Sequence, residues 1–315
     1  MKTHSQAIKI CFLIIYYWGT SLVSQGQDAV KNTDGKYHYV DSKGVSVAQL
    51  GSWTQAERFY GGYAKVVDNK GRHYLINKRG KPYKVAYNTK DITSDTEAVD
   101  LREQTINGFP EEILQFSQLK ILLLGNSYPR KKVINTLPSS IKKLQNLEVL
   151  SLSQVSLKKL PPEIQQLTRL KSLDLSGNPL KVISDVVFEL PQLENLDLAS
   201  CDLTSIPEKI KKLQKLRVLD LRMNKLTQLP DELFQLRQLE YLDLSSNQIK
   251  VLNSSIGSLH TLFTLYLSSN QIAYLPPELF QLTQLEKLNL SYNKIAKGRI
   301  KFNTKTENLV FAFFA

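Results

Sequence analysis

Between Leu144 and Leu290 one phrase recurs every 23 residues: Leu-x-x-Leu-x-x-Leu-x-Leu-x-x-Asn-x-Leu-x-x-Leu-Pro-x-x-Ile/Leu-x-x. It runs as LQNLEVLSLSQVSLKKLPPEIQQ over 144–166 and begins again at Leu167, Leu190, Leu213, Leu236, Leu259 and Leu282. A unit this short cannot bury its own apolar edge, so each copy must lean on its neighbours and the chain must stack into a solenoid.

In the unit starting at Leu213, Leu219 and Leu221 are two apart and point to one face of a short strand, while Val218, Asp220 and Arg222 point to the other. Leu213, Leu216, Leu226, Leu229 and Leu233 complete the interior from the turns and the returning segment. Each buried leucine contributes roughly 1.5–3 kcal/mol, too little for one unit against its ordering entropy but enough for a stack. Asn224 falls where the strand bends away, with an amide able to satisfy backbone groups that the turn releases. Its column reads Asn178, Cys201, Asn224, Asn247, Asn270 and Asn293. Pro230 opens the returning segment, where proline suits the first turn of a short helix; Pro138, Pro161, Pro207 and Pro276 match it, and Ser184 and Asn253 replace it. This phrase resembles the leucine-rich repeats, in the 23-residue Leu-Pro subtype found in Ras-pathway scaffold proteins and related bacterial proteins. The resemblance implies an α/β solenoid, a horseshoe with a parallel concave sheet, and is silent on ligand.

The register divides the chain further. Residues 93–115 form a degenerate capping repeat, and 116–143 a repeat of 28 residues whose surplus lies near Tyr128-Pro129-Arg130-Lys131-Lys132, read as a basic loop. Regular units follow at 144–166, 167–189, 190–212, 213–235, 236–258 and 259–281, with a partial one at 282–295. Residues 296–315 end in Leu-Val-Phe-Ala-Phe-Phe-Ala and are expected to fold back over the open end of the core. Ahead of the repeats, Gly35–Gly44 and Gly71–Gly80 share the plan of a glycine turn, an aromatic strand, then an Asp/Asn-x-Lys/Arg-Gly turn. Phe59–Val66 adds a strand-like run between them. The pair is similar to the WG-repeat β domains of bacterial proteins, with Tyr37 and His73 where tryptophan is expected and His38 and Tyr74 replacing a glycine. A small antiparallel β domain is thus expected over 28–87, with a linker at 88–92.

Residues 1–26 have the layout of a secretory signal peptide: Lys2 and Lys9, an uncharged run over Ile10–Val23, and the small pair Ser24 and Gly26 before a cleavage point near Gln27. The run has 14 residues, where a membrane anchor needs about 20. Cleavage leaves a mature chain without a transmembrane span, secreted or held at the cell envelope. It also removes Cys11, so Cys201 is the sole remaining thiol and no intramolecular disulfide is possible.

No catalytic constellation is present: no nucleophile elbow, no phosphate-cradling glycine loop, no paired acid and base. His38 and His73 fit aromatic positions of strands and lack the companions of a metal site, so neither enzyme, cofactor nor metal is expected. The formal charge is +12, and loss of Lys2 and Lys9 leaves +10. Lys142, Lys143, Lys158, Lys159, Lys209, Lys211 and Lys212 fall on the turns and the convex side. The strand face instead carries Asp174, Asp197, Asp220 and Asp243 in one column and Glu148, Lys171, Glu194, Arg217, Glu240 and Glu286 in the next.

Contact with a protein or peptide is expected on the concave strands. Met223, Tyr241, Phe263, Tyr266 and Tyr292 occupy outward positions over four repeats, beside Asp243, and are read as one patch roughly 15 Å long. Ile121, Leu123 and Val149 are outward and apolar as well, and are expected to lie under the 128–132 loop or the β domain. The competing readings are an adhesive envelope component holding anionic glycan or lipid on its basic convex side, and an intracellular signalling scaffold. Nucleic acid is not an expected partner.

Overall fold

The computed structural model describes residues 28–40, 45–57, 63–126, 132–295 and 310–312. The expected leader therefore lies outside the described residues, as does most of 296–315. The chain divides into two compact units, 1–85 and 86–315.

In the first unit β1 (Asp28–Lys31), β2 (Tyr37–Val40) and β3 (Ser52–Trp53) form an antiparallel sheet. β4 (Gln55–Ala56), β5 (Tyr63–Val67), β6 (His73–Asn77) and β7 (Pro82–Ala86) form an antiparallel series. Both leading glycines do what a tight turn asks of them: Gly35 and Gly71 take φ of +81° and +74°, closing the turns between β1 and β2 and between β5 and β6. Tyr39, Leu50, Ala64, Val66 and Ile76 make the core. The Tyr39 hydroxyl, which cannot be buried without a partner, donates to the Glu57 carbonyl at 2.6 Å.

In the second unit each copy of the phrase up to residue 281 yields one short strand and one return, and the copy from Leu282 yields a strand. The strands are β8 (Ala98–Asp100), β9 (Ile121–Leu123), β10 (Val149–Ser151), β11 (Ser172–Asp174), β12 (Asn195–Asp197), β13 (Val218–Asp220), β14 (Tyr241–Asp243), β15 (Thr264–Tyr266) and β16 (Lys287–Asn289). They pair in parallel, each with the next, in unbroken register, so that Leu150, Leu173, Leu196, Leu219, Leu242, Leu265 and Leu288 stand opposite one another. β17 (Val310–Ala312) adds a parallel strand beside β16. The returns are 3-10 helices of five residues, such as Asp231–Gln235. Five residues suffice for one tight turn and no more. Pro230 sits one position before its helix, as N-cap, with φ of −73°. Asn253, in the same column, caps its helix with its side chain by accepting from the Ser255 N–H at 2.9 Å.

The interior is leucine with one polar seam. Asn224 donates its amide to the carbonyls of Leu198 and Leu221, both at 2.9 Å, and accepts the N–H groups of Cys201 and Leu203 at 3.1 and 2.9 Å. Asn178 is placed the same way, donating to Leu152 and Leu175 and accepting from Val155 and Leu157. Each asparagine thus stitches its own turn to that of the preceding repeat. Cys201 keeps the donor half, its thiol reaching the Leu175 carbonyl at 3.2 Å. A thiol offers no comparable acceptor, and the Leu180 N–H turns to the Asn178 carbonyl at 2.8 Å instead.

The repeat at 116–143 departs from the expected loop. Lys132 is no part of a solvated basic loop; it is 1% exposed. Its ammonium donates to the carbonyls of Leu101, Gly125 (2.9 Å) and Leu124 (3.3 Å). Leu101 and Leu124 correspond in register to Leu198 and Leu221, the carbonyls that Asn224 holds. Lys132 therefore fills the asparagine slot of its repeat, where the sequence register places Ser127. Ile121, Leu123 and Val149 are buried at 1%, 6% and 7% exposure.

Candidate partner-binding face

The sheet carries three columns of open-face side chains, led by the first and last residues of each strand and the second residue after it. Their order follows from the strict register, with neighbouring strands about 4.8 Å apart. In the last-residue column Asp174, Asp197, Asp220 and Asp243 are consecutive Cα partners. Each carboxylate accepts the backbone N–H two residues on: Ser176, Ala199, Arg222 and Ser245, at 2.9–3.0 Å. The recurrent aspartate thus has a local task, fixing the exit of the strand, and Asn289 performs it in β16 for Ser291.

The predicted contact residues do not form one patch. Tyr241 and Asp243 are 5% and 4% exposed. The Tyr266 ring stands edge-on to that of Tyr241 at 5.8 Å and 87°, and the Tyr241 hydroxyl donates to Asp243 Oδ2 at 3.3 Å. Outward orientation on a strand does not secure exposure where neighbouring strands present side chains this large. Burial, with the nearby Asp243 and Asp220 charges adding to it, pushes the Tyr241 phenol far above its ordinary range, so it stays a neutral donor. Tyr241 and Asp243 are the floor, and Tyr266 and Phe263 remain half-buried above it, Phe263 just before the start of β15 and Tyr266 at its end.

Met223 and Tyr292 are 61% and 63% exposed, at the strand exits of repeats three apart. Both have positive φ, +55° and +54°, in a column completed by Gln154, Gly177, Ser200, Ser246 and Ser269. A left-handed turn favours small or polar residues, so the two bulky side chains serve neither the turn nor the core.

The sequence reading missed a second exposed column, Val182, Val251 and Tyr274, on the descending turns. It is visible in the repeat register as the position immediately before the Leu-Pro pair. Of the helix-side lysines, those of one return are matched: Lys209 pairs with Asp185 and Lys212 with Glu189 at 2.6 Å, and Lys211 with Glu232 at 3.8 Å, while on the turn Lys225 pairs with Asp202 at 2.6 Å. Cys201 is buried, and burial raises its thiol to about 12, against a reactive role. No group of three or more His, Cys, Asp or Glu residues is placed to hold a metal ion among the described residues. A cavity of about 410 Å³ lined by Asn107, Phe109, Glu111, Asn135 and Thr136 has one carboxylate and one hydroxyl, and no His, Cys or Lys in its lining.

Comparison with known proteins agrees with this architecture. The family model for the leucine-rich repeat matches residues 145–203, 191–249 and 214–272, and a model of two such repeats matches 260–297. No curated protein matches the sequence. Among solved structures, a leucine-rich-repeat protein of Leptospira interrogans is similar at 33% identity and a TM-score of 0.57, over 69% of this chain and 66% of that one. The leucine-rich-repeat ectodomain of the plant membrane receptor kinase GASSHO1/SCHENGEN3 from Arabidopsis thaliana, solved in complex with Casparian strip integrity factor 2, is similar at 32% identity and a TM-score of 0.53. That match covers 64% of this chain and 24% of the ectodomain. An internalin of Listeria monocytogenes shares the fold at 21% identity and a TM-score of 0.57, over 70% of this chain and 62% of its own. The chain is a leucine-rich-repeat protein. No helix among the described residues is long and apolar enough to cross a membrane.

Proposed function

We propose that this is an exported, non-catalytic protein whose repeat unit binds a protein or peptide partner on the open face of its sheet. The observation that carries the reading is the exposure of Met223 and Tyr292 on left-handed turns that other repeats give to serine, glycine or glutamine. Large apolar side chains held where they satisfy nothing in their own fold are the make-up of a binding hot spot. Two repeats lie between them: Phe263 and Tyr266 are on the second, and Tyr241 and Asp243, on the first, hold the floor. A repeat ectodomain similar at 32% identity, solved in complex with Casparian strip integrity factor 2, supports partner binding by a repeat unit of this kind. Export rests on the basic, apolar and small-residue order of 1–26.

The helix side is a weaker candidate, because around the 208–212 return an anionic glycan or lipid has to displace the carboxylates already on Lys209, Lys211 and Lys212. The test is selection of a displayed random-peptide library on the full chain, followed by binding to a variant with Met223, Phe263 and Tyr266 all changed to alanine. Selected peptides are expected to lose at least about tenfold in affinity, equivalent to 1.4 kcal/mol, while a Lys209→Ser, Lys212→Ser variant binds normally. Peptides that bind both variants equally well overturn the site.

A further inference from the structure

We propose that Asp197, Asp220 and Asp243 of the aspartate column form a proton-responsive element: mild acidification loads them with protons, removes negative charge from the sheet face and tightens the repeat stack. The inference holds whatever the face binds.

It stands first on register. Asp174, Asp197, Asp220 and Asp243 are direct partners on four adjacent strands, so their carboxyl groups repeat at about the strand spacing of 4.8 Å. Asp197, Asp220 and Asp243 are 8%, 5% and 4% exposed, which denies them the water that screens such a row. The compensating charge is sparse. At Asp100 an arginine two residues on, Arg102, grips the acid through Nε and Nη2 at 2.9 and 2.8 Å. In the column only Asp220 has that companion, Arg222, with its Nε at 3.4 Å; the others have Ser176, Ala199 and Ser245 there.

The other elements packed against the row add little positive charge. β10 contributes the Ser151 hydroxyl, which donates to Asp174, and β14 contributes the Tyr241 hydroxyl, which donates to Asp243. β15 presents Tyr266, and the preceding column holds Lys171 paired with Glu148, Arg217 paired with Glu240, and Glu194. One guanidinium therefore stands among four carboxyl groups.

The titration follows that geometry. Burial, with Asp174 and Asp220 beside it, holds the Asp197 carboxyl well above the usual carboxylate range. Burial carries Asp220 to about 7 against the pull of Arg222, and burial raises Asp243 as well. A carboxyl raised on folding binds a proton that the unfolded chain has released. The stability it contributes is complete below about pH 4 and is lost as pH rises through the folded value.

Asn289 supplies the substitution, since it occupies the same column and keeps the same turn bond without charge. In the full chain, Asp197→Asn with Asp220→Asn is expected to raise the melting temperature by about 5 °C at pH 8 and by less than about 2 °C at pH 5. A variant no more stable at pH 8, or equally stabilised at both pH values, overturns the proposal. Carboxyl-carbon NMR of the unsubstituted chain with labelled aspartate decides the matter even if the variant misfolds. Two or more resonances titrating above pH 5.5 are expected; all of them titrating below pH 5 overturns it.

Discussion

Asn224→Ala is expected to destabilise the repeat unit by about 3–5 kcal/mol, seen as a fall of about 10 °C in the melting transition. The asparagine is 7% exposed and links two repeats through the carbonyls of Leu198 and Leu221 and the N–H groups of Cys201 and Leu203. Alanine removes donor and acceptor together and leaves those backbone groups unpaired in an apolar interior, where each costs about 1–3 kcal/mol. Because a solenoid is held by nearest-neighbour interfaces, the loss should be local at first. Amide exchange should quicken at 198–224 before it does at the two ends of the stack. A surface asparagine serves as the control.

The second large effect is at Lys132. Lys132→Met keeps the length of the side chain and removes the ammonium, so little cavity term enters. Three buried carbonyls, those of Leu101, Leu124 and Gly125, lose their donor, and a loss of about 3–5 kcal/mol is expected. Thermal unfolding of the variant measures it. A melting point within about 2 °C of the unsubstituted chain would show that Lys132 does not take the part that asparagine takes elsewhere. Unlike Asn224, Lys132 can only donate, so neighbouring N–H groups are not at stake and the damage should centre on β8 and β9.

These two residues mark how far the sequence could be read. Asn224 was legible because a fixed period aligns it with four other asparagines, and one amide at a bend has few other uses. Lys132 was not, because five inserted residues break the register and a lysine among basic neighbours reads as solvated. Only the missing asparagine at Ser127 signals that something else must fill the slot. The open face shows the same division. Strand alternation gives the side on which Tyr241 and Asp243 lie, but not that the Tyr266 ring and the tight strand spacing bury them. The exposure of Met223 and Tyr292 was legible; their left-handed backbone was not, since the repeat imposes it on glutamine, serine, methionine and tyrosine alike.

Oxidative footprinting of the full chain, alone and with a selected peptide bound, tests the binding face most directly. Met223 and Tyr292 on the sheet side and Tyr274 on the descending turns are all more than 60% exposed, so each reports on its own surface. Protection of Met223, Phe263, Tyr266 and Tyr292 with Tyr274 unchanged is the predicted result. Protection of Tyr274 with the sheet-face residues still oxidised at the rate of the free chain would contradict it.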